Sequence, residues 1–390
     1  MNKVLFNLIF IVSSVFAQFQ YSNDINLRQS FFINNCNPIS KPFRIMSLDL
    51  FYTFATIDLI SKNSLEYNWK SNYINYDFRE IYLSWYPNFG EIRFGKQVIP
   101  MGLADGNNPS DNINPYNYNY LFLSGVDRKI GVNSLYSDFY IDDYQISILL
   151  KYDNTKNLLP KRDDSSIFPL IIFHDSKTEI EYGVAFKMML ANNDISLSYF
   201  RSKDYMPTPI NTQSDLGFKK TDMFGFNTVG FLKDLTYRFE TVYFFSKYNN
   251  VLHGTYTQHT AQLEYKTFNE TMLTLQHIQE HILYDNYGNF ISGIGNPILS
   301  IFNNSLIFSI SKKFLNQTLD SNLGVIANID NKLHSLNFNF DYDLNNNVKI
   351  NFKLLKFINM LNQFYNERDW EFYNNLEKNS QMSISIKYII

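Results

Sequence analysis

The chain has 390 residues, of which 45% are hydrophobic, 17% aromatic and 18% charged, and its net charge is −3. Charged residues usually make up about a quarter of a globular chain, so this one is charge-poor, and its apolar patterning excludes a mostly disordered chain. The charge balance excludes a basic nucleic-acid surface, and the single cysteine excludes both an intramolecular disulfide and a Cys-based zinc site.

A mean hydropathy of −0.25 goes with no apolar run past the N-terminus that is long enough for a helical span. Yet the chain uses 28 Tyr and 36 Phe. Residues 1–17 read as a secretory signal peptide. Lys3 supplies the positive end, Val4 to Val12 an apolar stretch broken by Asn7, and Val15 to Ala17 a small-residue cleavage pattern before Gln18. Residues 18–390 then show no linker, repeat or domain boundary, so one domain is expected.

From there the dominant period is two, the side-chain alternation of a strand. Ile180, Tyr182, Val184, Phe186 and Met188 alternate with polar or small neighbours; so do Tyr237, Phe239 and Tyr243, then Leu336, Phe338, Phe340 and Tyr342. Val348, Ile350, Phe352 and Leu354 repeat the pattern, as do Met382, Ile384, Ile386, Tyr388 and Ile390. Strands of a soluble sandwich usually run about five or six residues, whereas many runs here last about 10 to 12, the length a tilted strand needs to cross a bilayer. Tyr136, Tyr152, Tyr265 and Tyr342 near run ends suit a membrane interface.

The connections alternate as well. Short ones are expected at 87–90, 137–139, 191–193, 232–234, 268–270, 314–317 and 344–347, and long ones at 100–126, 153–178, 203–220, 284–302 and 367–379. A medium loop at 247–255 and a short one at 329–332 complete the series. This alternation predicts an all-β, antiparallel, up-and-down transmembrane barrel of about 16 strands counted from Phe43. Between Asp77 and Ile81 the apolar phase changes, which predicts a bulge.

With apolar parity facing lipid, the opposite parity faces the interior: Glu91, Arg93, Glu181, Lys187, Arg238, Glu240, Lys349, Lys353 and Lys387. An Arg or Lys on the lipid face near the midplane costs about 2–4 kcal/mol, which enforces that parity. At this strand number side chains alone do not fill the lumen, so a water channel narrowed by an inserted loop, 100–126, is expected.

The most specific local block runs from Gly95-Lys96-Gln97 through Gly102, Ala104, Asp105, Asn108, Pro109, Asp111 and Asn114 to Pro115. Its Asn-Pro and Asp-Gly steps set turns, and Asx side chains bond nearby backbone. Oxygens of Asp105, Asn107, Asp111 and Asn114 suit a hard cation by type, but the spacing is not that of an EF-hand, so an ordered loop is expected and no metal. The block resembles a family of porin-like outer-membrane barrels that carry G-[RK]-Q and then W-G-x-A-D-x-x-N-P-x-D-x-x-N-P. Met101 stands where that family has Trp. The resemblance covers about a tenth of the chain and implies an outer-membrane location with passive solute passage.

No nucleophile elbow or phosphate loop appears, and the six His are scattered. His277 and His281 have a helical metal spacing in a segment of β period. No catalytic residue, cofactor or metal is therefore expected. The expected function is a porin passing small polar solutes through a mixed-charge lumen, in contact with outer-membrane lipids and placed by the barrel-assembly machinery. A homotrimer is the arrangement common among porins. The rivals are a plugged barrel acting through its loops as adhesin or receptor, and a secreted soluble all-β binding protein.

Overall fold

The computed structural model describes residues 19–104, 106–120, 123, 125–159, 179–209, 216–248, 252–285, 294–295, 298–330, 332–361 and 367–390. The expected signal peptide, Asp105 and most of the 153–178 loop lie outside the described residues.

Alternating sequence becomes wall. Eighteen strands form one antiparallel ladder in chain order: β1 (Phe19–Phe32), β2 (Phe43–Phe54), β3 (Ile57–Asn68), β4 (Tyr73–Trp85), β5 (Gly90–Gln97) and β6 (Val132–Ile141). Next come β7 (Tyr144–Lys151), β8 (Glu181–Leu190), β9 (Asn193–Lys203), β10 (Lys220–Leu232), β11 (Leu235–Tyr248) and β12 (Leu252–Lys266). The ring ends with β13 (Met272–Asp285), β14 (Ser305–Phe314), β15 (Leu319–Asn328), β16 (Leu333–Asp343), β17 (Val348–Asn359) and β18 (Gln381–Ile389). β1 pairs with β18 from Asp24↔Ile389 to Phe32↔Gln381, so the sheet closes on itself and leaves no edge unpaired.

The sides of the wall are chemically inverted relative to a soluble protein. On β7, Tyr144, Ile148 and Leu150 are exposed outside, while Ser147, Leu149 and Lys151 are buried inside. The same holds on β18, where Ile384, Ile386 and Tyr388 point out and Ser385 in. Such an outside is what hydrocarbon requires. At one end the connections are tight turns whose residues adopt positive φ, as Ala55, Asp142, Ala191, Asn192 and Lys233 do. At the other end sit the long connections, with helices α1 (Leu299–Phe302) and α2 (Glu367–Lys378, inside the expected 367–379 loop).

The strand count is 18 rather than about 16. From Phe43 onward there are 17 strands where about 16 are expected, and residues 19–32, which precede that count, form β1 and close the ring. The turn expected at 137–139 lies instead at Asp142-Asp143, where an Asp takes the left-handed conformation; β6 passes straight through 137–139, and Tyr136 is a buried inward residue. The expected 247–255 loop is mostly strand, since β11 and β12 pair as far as Tyr248↔Leu252. The expected bulge is present: β3 partners jump from Glu80 to Phe78, which leaves Arg79 as the extra residue.

Adjacent residues on opposite faces test the inversion. Phe308→Arg, on the outer face of β14, should cost about 2–4 kcal/mol in bilayer unfolding titrations, and Ser309→Arg, on the inner face, under about 1 kcal/mol.

Candidate functional site

The connection between β5 and β6 is folded by its own Asx residues. Asn114 is fully buried: its Oδ1 accepts the Ile99 N–H at 2.7 Å, and its Nδ2 donates to Gln97 O at 3.1 Å and Ile130 O at 2.9 Å. One side chain therefore ties both ends of the segment together, and Pro115 O adds a bond from the Ile130 N–H at 2.9 Å. Asn108 accepts the Ser110 N–H at 2.9 Å and donates to Met101 O at 2.5 Å, while Pro109 O accepts from Asn112. Gly102 has φ +89°, and a Cβ there would lie 2.2 Å from the Asn108 carboxamide, so no other residue fits. Asp111 takes the Met101 N–H at 3.2 Å and pairs with Lys129 at 2.9 Å. Asp111 Oδ1 and Asn114 Oδ1 are thus bound to N–H donors, and no cluster of three or more metal-ligating side chains occurs among the described residues.

This segment reaches across the ring. Near its end, Asp127 pairs with Arg44 of β2 at 3.1 Å and Arg79 of β4 at 2.9 Å, and the Tyr120 hydroxyl donates to Glu66 of β3 at 2.9 Å. Its middle is bonded to the far wall. Ser110 donates to Asn227 of β10 at 2.5 Å, and Glu240 of β11 accepts the N–H groups of Leu103 and Ala104. Thr260 of β12 donates to Asn107 O at 2.7 Å, and the Asn107 amide to Gln276 of β13 at 2.8 Å. In a ring of 18, β3 and β12 stand nine apart, directly opposite one another.

The two sides of this crossing differ. On the β6–β12 side, Ile99, Met101 and Ile113 pack with Tyr136, Leu149, Phe200, Met223, Phe244 and Tyr256 in a dry cluster. On the other side, a cavity of about 320 Å³ lies between the segment and the walls of β1, β2 and β15–β18. Arg28, Lys41, Arg128 and Lys353 line it, with Ser30, Asn107, Asn119, Ser335, Asn337, Gln381 and Ser383, and no carboxylate among the described residues. Lys41, in the β1–β2 connection, donates to Gln381 Oε1 at 3.3 Å, and burial pushes its ammonium down to about 8.

The charged residues expected inside are distributed over three kinds of place. Lys353 lines the cavity. Arg238 and Glu240 hold the crossing segment, Arg238 by donating to Leu103 O at 2.7 Å while it pairs with Glu264 of the neighbouring strand at 3.0 Å. Of the rest, all but Lys187 are paired in the wall. Glu91 lies 3.3 Å from Arg93, whose guanidinium covers the Tyr136 ring at 4.7 Å; Lys349 pairs with Asp343 at 3.0 Å, and Lys387 with Asp24 at 2.6 Å. Glu181 is buried with Lys151 at 2.7 Å, Ser202 at 2.9 Å and the Lys203 N–H at 3.1 Å. Lys187 stands on the inward parity of β8, opposite Gln145 and Ser196. Arg28, Lys41 and Arg128 were not anticipated. Arg28 was legible in principle, since it shares parity with Asp24, Asn26 and Ser30 in the first run.

No protein-family model and no curated protein matches the chain. Solved structures do. OccK2 (OpdF) of Pseudomonas aeruginosa, solved in complex with glucuronate, is similar at a TM-score of 0.58 and 8% identity over 95% of this chain and 96% of that chain. OccK5 (OpdH) of the same organism is similar at 0.55 and 9% identity over 96% and 98%, and OccK11 (OpdR) at 0.53 and 7% over 96% of each. At such identities the likeness carries the fold alone: an all-β, closed, antiparallel membrane barrel.

Removing the central tie tests how the crossing segment is held. Asn114→Ala strands buried backbone groups, each worth about 1–3 kcal/mol. Limited proteolysis of the folded barrel should then cut within 98–131 well before any strand.

Proposed function

We propose that this chain is an outer-membrane diffusion channel for small anionic polar solutes. The observation that carries the reading is the cavity beside the crossing segment, with four cationic side chains and no described carboxylate. An Arg guanidinium matches a carboxylate or phosphate with two parallel hydrogen bonds, and Lys adds a mobile point charge. The amides and hydroxyls between them suit a polyol body. OccK2 was solved with glucuronate, a sugar acid with both features, and a similar barrel here presents matching chemistry.

In this reading the 98–131 segment narrows the passage to its cationic side, with the dry cluster closing the other. Asp127, shared by Arg44 and Arg79, offsets one of their two charges, and Arg28, Arg128, Lys41 and Lys353 line the cavity itself. The long connections face the exterior, both chain ends face the periplasm, and residues 1–17 direct export. Solute passes down its gradient with no chemical step.

Zero-current potentials in planar bilayers under a salt gradient test the reading. The folded protein should favour anions, and Arg28→Glu with Lys353→Glu should move the potential toward cation preference. Absence of current from inserted protein would overturn the channel in favour of a plugged receptor. Selectivity should also depend on pH. Lys41 is charged below about 8 and neutral above it, so anion preference should fall between pH 7 and pH 9 and stay level in Lys41→Arg.

A further inference from the structure

We infer that the cationic cavity opens sideways into the membrane through a gap between β1 and β2, and that a single-chain carboxylate amphiphile binds there, its head among the cations and its tail in the gap. This builds on the membrane and cationic-cavity readings and adds an occupant of different build from the polar solutes.

The gap is written in the register. β1 and β2 pair from Phe19↔Tyr52 to Ile25↔Met46, and there the ladder stops. Pairing resumes at the bridge Phe31↔Pro38, where the Ile39 N–H donates to Ser30 O at 2.8 Å and the Phe32 N–H to Asn37 O at 2.9 Å. Between the two stretches, four residues of β1, 26–29, face six of the returning chain, 40–45. The longer side has to bow away, and Pro42 within it has no N–H to give to a ladder. Asn26 lies midway along β1 (Phe19–Phe32), so the gap begins at mid-depth, where hydrocarbon is the solvent.

Side chains stand in for the missing rungs. Trp69, from the β3–β4 connection, donates its indole N–H to Arg28 O at 2.6 Å. Its ring stacks on Phe43 at 5.6 Å and meets Tyr67 edge-on at 5.0 Å. Phe43 stands opposite Tyr67, on the outer face that Leu65 and Met46 share, while Arg44 and Glu66 beside them turn inward to Asp127 and Tyr120. The stopper of the gap is therefore aromatic and sits on the lipid side of the wall.

The cavity reaches this stopper from within. Pro42, Phe43 and Trp69 line it together with Arg28 and Lys41, so one space runs from the cations to the aromatic cluster. The buried Nε–H of Arg28 finds no acceptor among the described residues, and a carboxylate would supply one. Ile39 and Ile298 add apolar lining that suits a hydrocarbon chain better than a polyol. At about 320 Å³ the cavity is at the low end of ligand pockets, roughly 300–1,000 Å³, so a long tail has room only by leaving through the gap. Adjacent strands sit about 4.8 Å apart, and rungs missing between two of them leave space for one extended chain.

The test uses the full chain in phosphatidylcholine vesicles, with dodecanoate brominated at its tail as a quencher of indole fluorescence. The tryptophans are Trp69, Trp85 and Trp370. With Trp85→Phe and Trp370→Phe only Trp69 reports; with Trp69→Phe and Trp370→Phe only Trp85 does, which is exposed on the outer face of β4. The acid should quench Trp69 saturably and Trp85 only in proportion to its amount in the membrane. Dodecanol brominated in the same place, with the same tail and no charge, should quench both in proportion. Arg28→Gln with Lys353→Gln should raise the half-saturating acid concentration at Trp69 about tenfold with heat-modifiable mobility retained. Lys41→Gln, in a connection outside the ladder, should move it the same way. Proportional quenching of Trp69 by the acid, equal saturation by the alcohol, or a half-saturation that neither variant moves would overturn the portal. The channel reading stands or falls separately, on anion preference in planar bilayers.

Discussion

Hydrocarbon supplies no hydrogen-bond partner, so every backbone N–H and C=O within it must be satisfied by the protein itself. A sheet meets that demand only by closing, and here the closure is made by the first strand on the last. Once the ring is shut, neighbouring side chains are committed to opposite media. The inverted sidedness of β7 and β18 follows from this single constraint, and so does the period of two that runs through the chain.

A ring of this width leaves an interior that its own side chains do not fill. The β5–β6 connection divides that interior. Its internal order comes from Asx side chains bonded to nearby backbone, and its position comes from carboxylates and amides of the wall: Glu240 on one side, Glu66 on the other, and its own Asp127 on Arg44 and Arg79. Apolar residues of the same segment close one side of the division, and cations gather on the other. Order, placement and electrostatics are thus carried by different residues of one loop.

The fold was largely legible in the sequence, because strand alternation and turn chemistry are local. The count from Phe43 leaves out β1, whose outer parity carries Asn23 and Gln29 among its apolar residues, and where Asp142-Asp143 offers a better turn than 137–139 the boundary lies several residues further on. The bulge at Arg79 was readable because two apolar phases met there. The cavity was not readable in the same way. Parity could place Lys353 inside, but which inward charges meet open space depends on where the crossing segment lies. Glu181 and Glu240 share that parity and are covered, whereas Arg128 and Lys41 come from connections, to which no periodicity applies.

The span of the crossing ties the two halves of the ring together. Glu240 lies 136 and 137 residues along the chain from the Ala104 and Leu103 amides it receives, and Gln276 lies 169 from Asn107. Those bonds need β10 to β13 as well as β5 and β6 in place, so the crossing is complete only when both halves of the ring are present. A ring lacking either half would leave the segment without its far anchors, so the division of the interior belongs to the closed wall as a whole and to no single hairpin.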